Sequence, residues 1–180
     1  HTLIETGHLI REGRTGQFRL GPSVMTLGAV AHAQASFMDL IEDEMQTLAN
    51  RTGTLSLIGV RSREKMMLVR TWRPVGTASI WLEPGHRIPI MGSATGQAYI
   101  SALNDAAFEA LDPSLELRRF REEGYAQLVA RGFTTPRIEV RYAATINAVA
   151  VPFMAREYGE PIAFTCGAMP DILTEERVQD

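Results

Sequence analysis

The amino-acid sequence predicts an α/β fold of the α+β kind. Three observations carry that reading. Strand signals follow one another over residues 54–82. Helix-compatible residues fill the stretch 96–131, and strand signals return over residues 148–169. Strands and helices are thus grouped in blocks. Ahead of them, residues 1–21 stand apart, and residues 22–35 read as a joining helix. The expected divisions are therefore 1–21, 22–35 and 36–180.

In chain order, residues 2–6 suit the last turns of a helix, with Gly7 as its stop. His8 to Arg11 and Gln17 to Leu20 are two short alternating runs around E-G-R-T-G, a hairpin signal. A helix end followed by a hairpin is how a winged helix-turn-helix domain finishes. On such a wing Arg11, Arg14 and Arg19 would reach phosphates; on an ordinary edge hairpin they would be solvated. Pro22 suits a first helical position. Val24, Leu27, Val30 and Ala31 then keep helical spacing, which Gly28 weakens.

Residues 36–51 make the clearest helix. Phe37, Leu40, Ile41, Met45, Leu48 and Ala49 share one apolar face, with acids largely elsewhere. Ser36 and Asp39 resemble a capping box, and Gly53 ends the helix. The acids of residues 42–44 read as a solvated face. Residues 54–60 and 66–72 read as two strands paired across a charged turn. Residues 77–82 read as another strand. Trp72 and Trp81 suit a core or rim better than base stacking, because nothing basic is interleaved with them.

Residues 84–103, P-G-H-R-I-P-I-M-G-S-A-T-G-Q-A-Y-I-S-A-L, organise the rest. A turn and a short apolar segment break at Gly92-Ser93 and enter a helix that Ser93 or Thr95 can cap. Ala94, Thr95 and Gly96 are small enough for close approach of a ligand to the backbone. Free N–H groups and the positive helix end then suit a carboxylate or phosphate. The same residues also suit an ordinary strand–turn–helix junction.

A short helix over 105–111 and a longer one over 114–131 follow, the second interrupted at Gly124 and stopped at Gly132. Arg118, Arg119 and Arg121 read as surface charge. Residues 148–153, A-V-A-V-P-F, suggest a strand buried on both faces, and Pro152 argues for its end or an edge. A turn over 157–161, a last strand over 162–169 and a closing helix over 173–178 complete the chain.

Composition bounds the function. The 180 residues are 45% hydrophobic and 22% charged, ordinary for a soluble globular protein. Cys166 is the single cysteine, which rules out an internal disulfide framework and fits a reducing, cytoplasmic setting. No apolar run reaches the length of a membrane span. The start has no signal-peptide pattern, and His1-Thr2-Leu3-Ile4 reads like the middle of an element in a longer chain. A net charge of −3 argues against the whole chain attracting nucleic acid electrostatically. The four histidines make no metal spacing with each other or with Cys166, and none of the phosphate-loop, dinucleotide or nucleophile-elbow motifs is present. Neither a metal nor a cofactor is expected. Cys166 with a distant histidine could serve as nucleophile and base, but in an apolar strand it suits a packed thiol.

Several segments, taken in order, resemble the IclR-type bacterial transcription regulators. They are L-I-E-T-G-H-L with F-R-L-G, Leu27-Gly28, Leu48-Ala49 with T-G-T, residues 85–96 with Pro89 and S-A-T-G, R-G-F, Glu139, I-N-A-V-A-V-P and Thr165-Cys166-Gly167. The resemblance covers nearly the whole chain. It implies a GAF/profilin-like effector domain with a mostly antiparallel sheet flanked by helices, preceded by the end of a winged-helix domain. It implies a repressor or activator rather than an enzyme, forming homodimers or homotetramers. Operator DNA would be bound through an N-terminal domain lying mostly upstream of His1.

The effector would be a small organic carboxylate meeting the backbone of Ala94 and Thr95 beside Gly96. Ile80 and Ile88 would wall the pocket, with Asn147, Ala148 and Cys166 facing it. Thr145 replaces a usual glycine, and Ala148 and Cys166 replace small polar residues. These departures suggest a more apolar carboxylate, aromatic ones included, with Arg137 as counter-charge. Two alternatives stay open: a stand-alone small-molecule sensor, and an enzyme using Cys166 in the same cleft.

Overall fold

A computed structural model describes residues 2–13, 15–34, 37–156 and 158–178. The expected Ser36 cap, wing residue Arg14 and turn residue Glu157 lie outside them. The chain forms two compact units, His1–Glu42 and Asp43–Asp180.

In the first unit, α1 (Thr2–Glu5) ends at Gly7, whose φ of +73° glycine adopts without strain. β1 (Leu9–Arg11) pairs antiparallel with β2 (Phe18–Leu20), Leu9 opposite Leu20. The Gly21 N–H donates to the His8 carbonyl (2.7 Å), closing the base of the hairpin, and Ser23 Oγ donates to the Thr6 carbonyl (2.8 Å), tying the next helix to the chain just after α1. α2 (Pro22–Gln34) starts with the expected proline, and α3 (Phe37–Leu40) follows.

The second unit is built on α4 (Glu42–Thr52), β3 (Leu55–Ser62), β4 (Lys65–Trp72), β5 (Arg87–Pro89) and α5 (Ala94–Ala102). After these come α6 (Asp105–Glu109), α7 (Leu115–Arg131), a 3-10 turn (Ile138–Val140), β6 (Asn147–Ala155) and β7 (Glu160–Ala168). Its five-stranded sheet has the order β5-β4-β3-β7-β6, and every pairing is antiparallel. This is the mixed α/β architecture expected. Leu57, Leu68, Ile88, Tyr99, Phe108 and Phe120 form the centre of the core between sheet and helices. Each such side chain contributes about 1.5–3 kcal/mol on burial.

Several expectations are corrected. The helix expected over 36–51 is two, α3 and α4, because Ile41 leaves the helical path. Residues 77–82 form no strand; Trp81 is exposed, with the Arg73 guanidinium over its ring. α7 runs through Gly124 unbroken. A Cβ there would stand 2.6 Å from Gln97 Cγ, so the glycine lets α5 and α7 approach closely. Arg121 is half-buried and donates to the Ile100 and Leu103 carbonyls at 3.2 and 2.7 Å rather than lying on the surface. β6 lies at the sheet edge, which tolerates Pro152, and leaves Val151, Phe153 and Met154 exposed instead of buried on both faces. Residues 173–178 are turns, not a helix, although Leu173 and Val178 are buried beside Ala168.

Candidate functional site

The residues of 84–103 make one junction. Ser93 is the cap of α5: its Oγ accepts from the Gly96 N–H (3.0 Å) and donates to the Pro89 carbonyl (2.6 Å). Thr95 does not cap; its hydroxyl shares a 2.9 Å hydrogen bond with Thr165 of β7. Gly92 has a φ of +79°, and a Cβ there would lie 2.8 Å from Tyr142 N. Only glycine lets the 140–142 backbone cross at this point. The Ala94 and Thr95 N–H groups, in residues 2% and 1% exposed, find no acceptor among the described residues. Buried amides of a first helical turn are costly to leave so.

These amides belong to residues lining a small cavity of about 40 Å³ that opens to solvent. Strand alternation gives it a floor. Leu55 and Leu57 of β3 face Gly167 and Thr165 of β7, and Ala148 of β6 lies opposite Gly167. Ile80, Leu82 and Ile88 wall one side. Pro136, Arg141, Tyr142 and Ile146 wall the other. Among the described residues the lining contains no carboxylate and one cation, Arg141.

That guanidinium is 6% exposed. Its Nε donates to the Pro136 carbonyl (2.9 Å), Nη1 to Asn147 Oδ1, and Nη2 to Glu175 Oε1 (3.0 Å). Desolvation raises the Tyr142 phenol pKa above its ordinary value, although the residue is 46% exposed at the cavity.

Of the expected site residues, Ile80, Ile88, Ala94, Thr95 and Ala148 line the cavity. Gly96 lies one step inside the helix, against the Ile90 backbone. Asn147 is buried behind Arg141, where its Nδ2 donates to the Leu173 carbonyl (2.7 Å). Arg137 is exposed and forked onto Glu123 at 3.2 and 2.8 Å, away from the cavity. Cys166 points to the other face of the sheet, because it neighbours Thr165 and Gly167. There it meets Ser56 Oγ at 3.5 Å and borders a groove with Met45 and Leu48. The enzyme reading loses its nucleophile in this cleft.

Sequence reasoning missed Arg141 and Tyr142. They stand in an irregular loop with no periodicity to mark them. Of the wing residues, Arg11 is exposed, and Arg19 pairs with Glu12 at 3.3 Å, both half or more exposed. Among the described residues no group of three metal-ligating side chains converges, and no helix is long and apolar enough to cross a membrane.

No family model matches the chain. The chain is 25% identical over 99 residues to the HTH-type transcriptional regulator TsaQ1/TsaQ2 of Comamonas testosteroni; the match takes in 54% of this chain and 36% of that protein's length. Its fold is that of solved IclR-family regulators. An IclR family transcriptional regulator from Brucella abortus superposes with a TM-score of 0.78 at 21% identity, covering 100% of this chain and 70% of that one. An IclR homolog from Microbacterium hydrocarbonoxydans, complexed with 4-hydroxybenzoate, gives 0.73 at 17% identity, covering 98% and 76%.

Proposed function

We propose that the chain belongs to an IclR-type, ligand-responsive transcription regulator and that its second unit binds a small organic carboxylate. In this reading residues 1–21 finish a winged helix-turn-helix domain whose DNA-reading part lies upstream, and residues 22–35 link it to the effector domain 36–180. Arg11, Arg14 and Arg19 then contact operator phosphates. The protein works in the cytoplasm as a homodimer or homotetramer and does not transform its ligand.

The observation that carries the effector reading is the pair of acceptor-free, buried amides at Ala94 and Thr95, among residues lining an otherwise apolar cavity. A carboxylate supplies the missing acceptors in a low-dielectric site, where such hydrogen bonds count for most. Apolar walls suit an aromatic or branched body, and the 4-hydroxybenzoate in the M. hydrocarbonoxydans relative is of that chemistry. Calorimetry of the chain with benzoate, 4-hydroxybenzoate, phenylacetate and pyruvate tests this. Saturable binding of at least one, lost in Thr95→Trp, is the expected result. If none binds at millimolar concentration, or if Thr95→Trp binds as the native chain does, the pocket assignment is discarded.

A further inference from the structure

The cavity's one cation among the described residues has a side chain only 6% exposed. Arg141 has five N–H groups, of which Pro136, Asn147 and Glu175 take three. One N–H remains on each terminal nitrogen. A carboxylate can accept from both terminal nitrogens of a guanidinium. A buried guanidinium needs a counter-charge, and here Glu175 supplies it through a single oxygen while 53% exposed. That carboxylate comes from the turn segment 170–178, outside the sheet.

We propose that Arg141 anchors the effector's carboxylate and that Glu175 is the resident anion with which the effector competes. The inference rests on the proposed effector cavity and names the group that selects for charge there. Glu175 neutralises Arg141 while the cavity is empty. An entering carboxylate provides the same charge from inside the cavity, whose lining holds no acid among the described residues, and it loosens the hold of Glu175. The segment so loosened is fastened elsewhere too: Arg177 Nη2 donates to the Thr52 carbonyl at the end of α4 (3.1 Å), and Asn147 holds the Leu173 carbonyl. Occupancy of the cavity is thereby connected to the C-terminal end of α4 through residues 173–177.

The test uses benzoate, 4-hydroxybenzoate and phenylacetate, each beside its uncharged primary amide, titrated calorimetrically into the native chain, Arg141→Met and Glu175→Gln. The native chain should prefer carboxylate to amide at least tenfold. Arg141→Met should erase that preference while leaving amide binding in place. Glu175→Gln should tighten carboxylate binding threefold or more without changing amide binding, an effect that a purely structural role for Arg141 would not produce. The inference is overturned by a folded Arg141→Met that keeps the preference, or by Glu175→Gln binding the carboxylate no more tightly than the native chain. If Arg141→Met does not fold, Glu175→Gln decides alone. If the native chain takes none of the three carboxylates, the effector reading falls as well, and this inference with it.

Discussion

Replacing Gly96 with alanine puts a methyl group where there is no room. The added Cβ would lie 2.5 Å from Ile90 Cα and 2.7 Å from Ile90 C, and it would also meet the Ile90 carbonyl oxygen. Ordinary carbon contacts begin about 1 Å further out. Both surfaces are backbone, so no rotamer change relieves the clash. The first turn of α5 must retreat from Ile90, and it carries the Ser93 cap with it, bonded to Gly96 N–H and to Pro89. Overpacking costs about 1–3 kcal/mol, and two weakened hydrogen bonds add about 1 kcal/mol each. The expected loss is about 3–5 kcal/mol, read from the denaturant midpoint at unchanged slope. Effector binding should fall with it, because the same turn carries the Ala94 and Thr95 amides. A loss under about 0.5 kcal/mol, within the range of ordinary surface changes, would refute the account of how α5 is seated.

Gly28→Ala is the counterpart: it stands within α2 with nothing within 4 Å of its Cβ position, so it should stabilise that helix by about 0.5–1 kcal/mol, seen as raised helicity or melting temperature. Ser93→Ala removes the α5 cap in a residue 2% exposed and should cost about 2 kcal/mol in chemical denaturation, with Ser93→Thr recovering part of it. Burial first, and then its 2.8 Å hydrogen bond to Glu160, raises the Tyr99 phenol above the ordinary 10.0. The folded chain therefore holds this proton after the unfolded chain has released it. The contribution is fully present below pH 10.0 and is lost as pH rises further, so stability should fall on the alkaline side. Tyr99→Phe should flatten that slope in pH-dependent unfolding.

The elements that could be read in advance are those with a local cause. Ser114 and Gly132 bracket α7 as cap and stop, because a hydroxyl and a left-handed residue act on their own neighbours. The hairpin of β3 and β4 follows from alternation and a short charged turn, where Arg63 takes a φ of +60°. Gly124 misled because its helix-weakening tendency is local, whereas its use, contact with Gln97 of α5, is not. The A-V-A-V-P-F run misled for a similar reason: composition does not say that a strand is the last in its sheet. Within the candidate site, Ile88 and Ala94 could be placed because they flank a recognisable junction. Asn147 could have been separated from Ala148 by strand periodicity alone, since neighbours in a strand face opposite ways, whereas Cys166 needed the register of β7 against β6 as well. Arg137 and Arg141 are four residues apart in an irregular segment, and only the backbone crossing at Gly92 decides which of them turns inward.

The seating of α5 also decides which of its amides water can reach. Eight of its nine residues are buried, and the later ones donate to carbonyls of the turn before. Those protons should exchange with deuterated solvent only when the whole unit opens. The Ala94 and Thr95 protons have no such partner and belong to residues lining the open cavity. They form two unpartnered positions at the head of a slow helix, a built-in pair of spectroscopic reporters whose protection should track whatever occupies the cleft.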